Sequence, residues 1–167
     1  NDSNAGTEAA PLKTVDAARV KIGTVRCQHL IYLKDAQTHS INASFEVVGG
    51  QWTFFLKWGT GADPVLSFTT DRVMKLYGRC LVGFIDVDVT FADLTSRFFN
   101  AYENTDARIV LARSVFTSDA STKQFFRVRD GGSMSVFATN VDFTGGGAST
   151  AQALNYAIPT GGSIFWC

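Results

Sequence analysis

Hydrophobic and polar residues alternate most cleanly in Lys75–Phe91, KLYGRCLVGFIDVDVTF. Ile85, Val87, Val89 and Phe91 fall on one side of an extended chain, and Asp86, Asp88 and Thr90 on the other. That period of two marks a half-buried β-strand. Upstream the phase is opposite, with Leu76, Cys80, Val82 and Phe84 as the even-numbered apolar positions. A one-residue slip sends every side chain to the other face, so the spacing predicts one long strand with a bulge or bend near Gly83.

The same reading places the other elements. Asn1–Thr14 is small and polar, with Pro11 arguing against a helix, and predicts a flexible arm (1–14) ahead of a single domain (15–167). Asp16–Asp35 alternates through Val20, Ile22, Val25 and Cys27, and predicts one strand or two broken near Gly23. Ser40–Val48 and Gln51–Trp58 predict a hairpin across Gly49–Gly50, a pair that supplies the positive φ of a tight turn. In its second arm Trp52, Phe54, Leu56 and Trp58 share a face that has to be core or interface. Lys123–Arg129 and Ser133–Asn140 predict a second hairpin across Asp130, Gly131 and Gly132. Thr90–Asn104 is the one predicted helix, because Leu94, Phe98, Phe99 and Tyr102 recur at helical spacing behind a cap at Thr90 or Asp93. About eight strands with one short helix, no strand–helix alternation and no repeat at a fixed period point to an all-β fold. The expected architecture is an antiparallel β-sandwich of the jelly-roll type.

Composition narrows the class. The 167 residues suffice for one domain with a sizeable core. Hydrophobic residues make up 46% and charged residues 18%, which excludes a disordered chain. So few charges predict that part of the surface is covered by a partner or by copies of the chain itself. The 15 basic residues balance the 15 acidic ones, so the global basic signature of a nucleic-acid binder is missing. No run of about 18 apolar residues predicts a membrane span. Cys27, Cys80 and Cys167 match no zinc or redox spacing, and the first two are expected to be buried free thiols.

Two constellations could carry chemistry. Asp86 and Asp88 are expected to point the same way from one strand, and with a third oxygen ligand such a pair holds calcium or magnesium at a subunit contact. The competing reading is a solvated face whose charges keep a strand from aggregating. Lys123, Arg127 and Arg129 surround Phe125–Phe126, the composition of a single-stranded nucleic-acid platform, RNA included; an amphipathic hairpin explains them equally. His29 and His39 form no metal-spaced pair, no serine sits in a GxSxG elbow, and Gly145–Gly147 is not followed by a phosphate-loop lysine. No catalytic residue and no organic cofactor are therefore expected, and the chain is read as a non-enzyme.

The small, neutral, aromatic-rich all-β profile with a polar arm resembles the single-domain jelly-roll coat proteins of satellite-type viruses. The resemblance spans about Val20 to Trp166 and rests on strand count, length and loop character. It implies a structural protein of the virion, many copies forming an icosahedral shell around nucleic acid. The family's basic N-terminal arm is not matched, since Asn1–Thr14 holds only Lys13. The alternative is a lectin-like, carbohydrate- or ligand-binding β-sandwich with Trp52, Trp58 or Trp166 as the sugar platform.

Overall fold

The structure, a computed structural model, describes residues 3–7, 9–69, 72–91, 98–118, 125–129, 131–145 and 163–166. The chain winds into a parallel β-solenoid of about four turns. Among the described residues one helix, α1 (Val15–Ile22), precedes thirteen strands: β1 (Gln28–Lys34), β2 (Thr38–Ile41), β3 (Phe45–Val47), β4 (Trp52–Trp58), β5 (Val65–Phe68), β6 (Met74–Leu76), β7 (Arg79–Ile85), β8 (Asp88–Phe91), β9 (Phe99–Ala101), β10 (Asp106–Ser118), β11 (Phe126–Val128), β12 (Ser133–Gly145) and β13 (Ser163–Trp166). Every strand pairing is parallel and joins one turn to the next.

The turns build three faces. β1, β4, β7 and the first halves of β10 and β12 form the first, with β13 added. β2, β5, β8 and the second halves of β10 and β12 form the second, and β3, β6, β9 and β11 the third. Gln28, Trp52, Leu81, Arg108, Ser135 and Phe165 stand level in successive turns, and with Val65 level with Asp88 on the second face one turn takes 23 to 30 residues. That variation is why no fixed period is visible in the sequence.

The antiparallel jelly roll expected from the sequence is thus corrected to a parallel solenoid. Gly49–Gly50 and Gly131 do bend the chain, with φ of 87° at Gly50 and 69° at Gly131. They are corners from the third face of one turn to the first face of the next, so the strands they join do not pair. A positive φ permits a tight bend and does not say which strands meet across it. Asn104 (φ 55°) and Gly78 (φ 62°) make the same corner in the intervening turns.

The phase flip in Lys75–Phe91 has a related cause. Cys80, Val82 and Phe84 point inward from β7, and Val87, Val89 and Phe91 point inward beyond the corner. The break falls at Asp86 (φ 54°), not at Gly83. Arg113 (φ 49°) and Asn140 (φ 52°) occupy the same corner in the next two turns. One left-handed residue turns the chain and shifts the alternation, so both strands keep facing one core.

Helix assignment also changes. Thr90–Asn104 is not helical where it is described: Phe91 ends β8, and Phe99–Ala101 is β9. Phe98 and Phe99 are both fully buried because they straddle a corner, which mimics the helical spacing of two adjacent inward positions. Leu94 and Asp93 lie outside the described residues. The helix lies at Val15–Ile22 instead, in the stretch expected to be a strand. Its cap is Thr14, whose hydroxyl accepts from the Ala17 N–H at 3.2 Å, with Asp16 in the first turn favouring the helix dipole. α1 closes one end of the solenoid, burying Val15 with Ile22 packed on the core, as a terminal cap must. Gln51, fully buried, ties the cap down. Its Nε2 donates to the Gly23 and Val25 carbonyls at 3.0 Å, and its Oε1 accepts from the Val48 N–H at 2.9 Å.

Inside, like stacks on like. Ile31, Phe55, Phe84 and Leu111 form one inward row, and Phe45, Met74, Phe99 and Phe126 another. The Phe55 and Phe84 rings stack at 4.8 Å and Phe99 on Phe126 at 5.2 Å. Phe84 also meets Phe99 and Phe116 edge-on at 6.0 and 5.6 Å. Phe84→Ala should therefore cost about 3–5 kcal/mol in urea unfolding, against less than about 0.5 kcal/mol for Thr90→Ala on the outer surface. A cost for Phe84→Ala no larger than that of Thr90→Ala would contradict its place in the core.

Candidate functional site

The three outer faces differ in chemistry. On the second face Ser40, Ser67, Thr90, Thr117 and Thr144 stand level, a ladder of hydroxyls in which the Thr117 and Thr144 oxygens are 2.9 Å apart. On the third, Glu46, Lys75, Asn100 and Arg127 stand level, with Lys75 and Glu46 paired at 3.3 Å. The first face holds the exposed large apolar residues of the strands, alongside Arg108, Ser135 and Thr139. One row across it runs Leu30, Phe54, Gly83, Val110, Phe137, and the next Tyr32, Leu56, Ile85, Ala112. Trp52 and Leu81 precede these rows, and Trp58 ends β4.

The alternation in β4 explains how this surface arises. Thr53 and Phe55 point inward and are fully buried, so Trp52, Phe54, Leu56 and Trp58 are turned outward. The aromatic face recognised in the sequence is thus the outer one. Tyr32 remains 57% exposed and Trp52 55%, and Leu30, Trp58 and Phe137 are exposed too. Phe54 lies over Gly83, filling the space a side chain would take there. At about 4.8 Å between strands and about 3.3 Å per residue, the surface measures about 20 Å each way. The exposed apolar residues within it form a patch of the size that is often functional on a monomer.

The residues singled out from the sequence lie elsewhere. Asp86 sits at the corner between the first two faces and pairs with Arg113 across the turns, Nε to Oδ1 at 2.6 Å and Nη2 to Oδ2 at 2.7 Å. This guanidinium holds the Asp86 carboxyl below its usual 3.8, and the carboxylate in turn raises Arg113. Asp88 is turned to the backbone, its Oδ1 accepting from the Val115 N–H at 2.8 Å. Among the described residues no group of three or more His, Cys, Asp or Glu is placed to hold a metal ion.

Arg127 and Arg129 are brought together at the third face, while Lys123 lies outside the described residues. Phe125 and Phe126, the rings between these cations, are in the core. The Arg129 guanidinium covers Tyr102 at 4.3 Å, and Tyr77 stacks on the same ring at 4.6 Å, so the Arg129–Tyr102–Tyr77 stack is closed on itself. Burial, then the neighbouring Tyr102, pushes the Tyr77 hydroxyl up to about 12. Cys80 is buried as expected and burial raises its thiol to about 12, whereas Cys27 is exposed. His29 and His39 donate from Nε2 to the Val25 and Lys34 carbonyls at 2.9 and 3.0 Å.

No protein-family model, curated protein or solved structure matches the chain. A coat-protein or virion role draws no support from relatives. Among the described residues no helix is long and apolar enough to cross a membrane.

The Asp86–Arg113 pair makes a pH test. Because the folded carboxyl titrates below 3.8, its stabilisation is complete above that value and disappears as pH falls through the lower folded one. Asp86→Asn keeps a residue that tolerates the left-handed corner and removes the charge. It should unfold at slightly lower temperature than wild type at neutral pH, a small deficit because both side chains reach solvent. The deficit should vanish in acid; one that persists unchanged there would exclude the ion pair as its source.

Proposed function

We propose that the protein is a structural β-solenoid that works in multiple copies, joined through the apolar outer surface of its first face. The observation that carries this reading is the contrast among the three faces: a ladder of hydroxyls runs along the second, charged and amide side chains stand on the third, and among the described strand residues it is the first face that leaves Leu30, Tyr32, Trp52, Trp58 and Phe137 exposed. A second copy is the partner this surface suits. The face presents roughly 20 outward side chains, about half of them apolar, the lower end of what a stable interface uses per partner. The zero net charge gives copies little reason to repel. A twofold arrangement puts one apolar patch on itself and leaves nothing open-ended. In size-exclusion chromatography with light scattering, the wild-type chain should run as a discrete multimer. Leu56→Lys with Val110→Lys, two outward positions near the middle of the face, should give a folded monomer with an unchanged circular dichroism spectrum. A wild-type chain that stays monomeric at every concentration would overturn the reading.

Tyr32, Trp52 and Trp58 favour a second reading, carbohydrate binding by the same face. Exposed indole and phenol rings stack on apolar sugar faces as they do on other flat surfaces. It predicts that a glycan hit on an array quenches tryptophan fluorescence and that Trp52→Ala abolishes the effect. An array without a hit removes it.

A further inference from the structure

A cleft of about 940 Å³ lies at the capped end of the solenoid, between β1 on one side and the N-terminal segment with α1 on the other. Every residue of β1, Gln28 to Lys34, lines it. Among the described residues β1 pairs only with β4, and no backbone hydrogen bond links it to the N-terminal segment. The segment bonds to itself instead, Gly6 N–H to the Ala10 carbonyl and Ala10 N–H to the Thr7 carbonyl.

The phase of β1 decides which groups are free. The Cys27 carbonyl accepts from Trp52 and the Asp35 N–H donates to Trp58, so the odd-numbered residues address β4. In a parallel ladder the alternate residues then turn their N–H and C=O to the other side. Gln28, Leu30 and Tyr32 thus present theirs along the cleft, while the Lys34 carbonyl is taken by His39.

The charged side chains described along this edge are cationic. Among the described residues Lys13, Lys21 and Lys34 line the cleft beside the imidazoles of His29 and His39, and no carboxylate does. Lys34 is paired with Asp35 at 3.2 Å, whereas Lys13 and Lys21 form no ion pair among the described residues. Between these cations the lining is apolar, with Leu12, Ile22, Leu30 and Tyr32. An open strand edge sets backbone pairing, apolar walls accept alternate side chains, and the cations select for acid.

We propose that the cleft is a strand-addition site for an extended acidic peptide segment of a partner protein, paired to the free edge of β1 with its carboxylates toward Lys13 and Lys21. The site shares Leu30, Tyr32 and Trp58 with the assembly surface and differs from it in Lys13 and Lys21, which stand on the N-terminal segment and α1.

The test uses the full chain and a fluorescent seven-residue peptide alternating glutamate and valine, with binding followed by anisotropy. The peptide should bind saturably. Its counterpart with lysine for glutamate should bind at least about tenfold more weakly. N-methylation of alternate amides should abolish binding in one phase and spare it in the other, since only one set of N–H groups faces β1. Lys13→Gln with Lys21→Gln should weaken binding at least about tenfold with unchanged melting temperature and oligomeric state. Failure of the peptide to bind, equal binding of the lysine peptide, or indifference to N-methylation in both phases would each overturn the proposal. The double substitution leaves the first face untouched, so loss of peptide binding in an intact multimer separates this site from the assembly reading.

Discussion

The structure depends on one constraint: each turn must offer the turn above it the same kind of side chain at the same height. Backbone hydrogen bonds run from turn to turn, so their register fixes which residues stack. Once Gln28 is level with Trp52 and Trp52 with Leu81, every inward row follows. Phenylalanine is well suited to these rows, because parallel rings at strand spacing stack offset with little loss of rotamer choice. Phe55 on Phe84 and Phe99 on Phe126 lie within 9° of parallel. The cost of the arrangement falls on the ends, where a row has no neighbour, and α1 with Gln51 meets it at one end.

The corners carry the second constraint. A solenoid turn must change direction without exposing its core side chains, and a single left-handed residue does so while shifting the alternation by one. Glycine takes that conformation freely at Gly50 and Gly78; Asp86 and Arg113 take it at some cost, and they sit one turn apart, 27 residues, with their side chains paired. The two strained positions therefore support one another, and the acidic pair that looked like a metal site serves as a corner brace. Asp88 caps the Val115 N–H beside it.

The inward rows also determine what the outer faces can be. Because side chains alternate, the residues left over on the first face are those whose neighbours fill the core, and in β4 these are Trp52, Phe54, Leu56 and Trp58. Apolar residues on both sides of a strand are expected where both sides are covered, and one side of β4 is covered by the core. The other side is the basis for proposing assembly. At the capped end the same logic leaves β1, among the described residues, with an edge that no strand pairs and with Lys13 and Lys21 beside it.

By itself the sequence determined that the fold is all-β, that the chain bends at Gly50 and Gly131, and that an aromatic face exists. Alternation in Ile85–Phe91, the glycines at 50 and 131, and Trp52–Trp58 all carry local physics, and a single residue or a short period suffices to express it. The opposite phases either side of Gly83 were a true sign of a bend, displaced by three residues from Asp86. The sequence could not determine what a bend connects. A hairpin and a solenoid corner both require a positive φ, and they differ only in whether the next strand pairs with the last one or with a strand 23 to 30 residues away. Parallel register, the inward choice of Phe55 over Trp52, the burial of Phe125 and Phe126, and the meeting of Asp86 with Arg113 all follow from that long-range pairing. Only the tertiary structure decided them, because they are properties of neighbouring turns, and no local segment contains its neighbour.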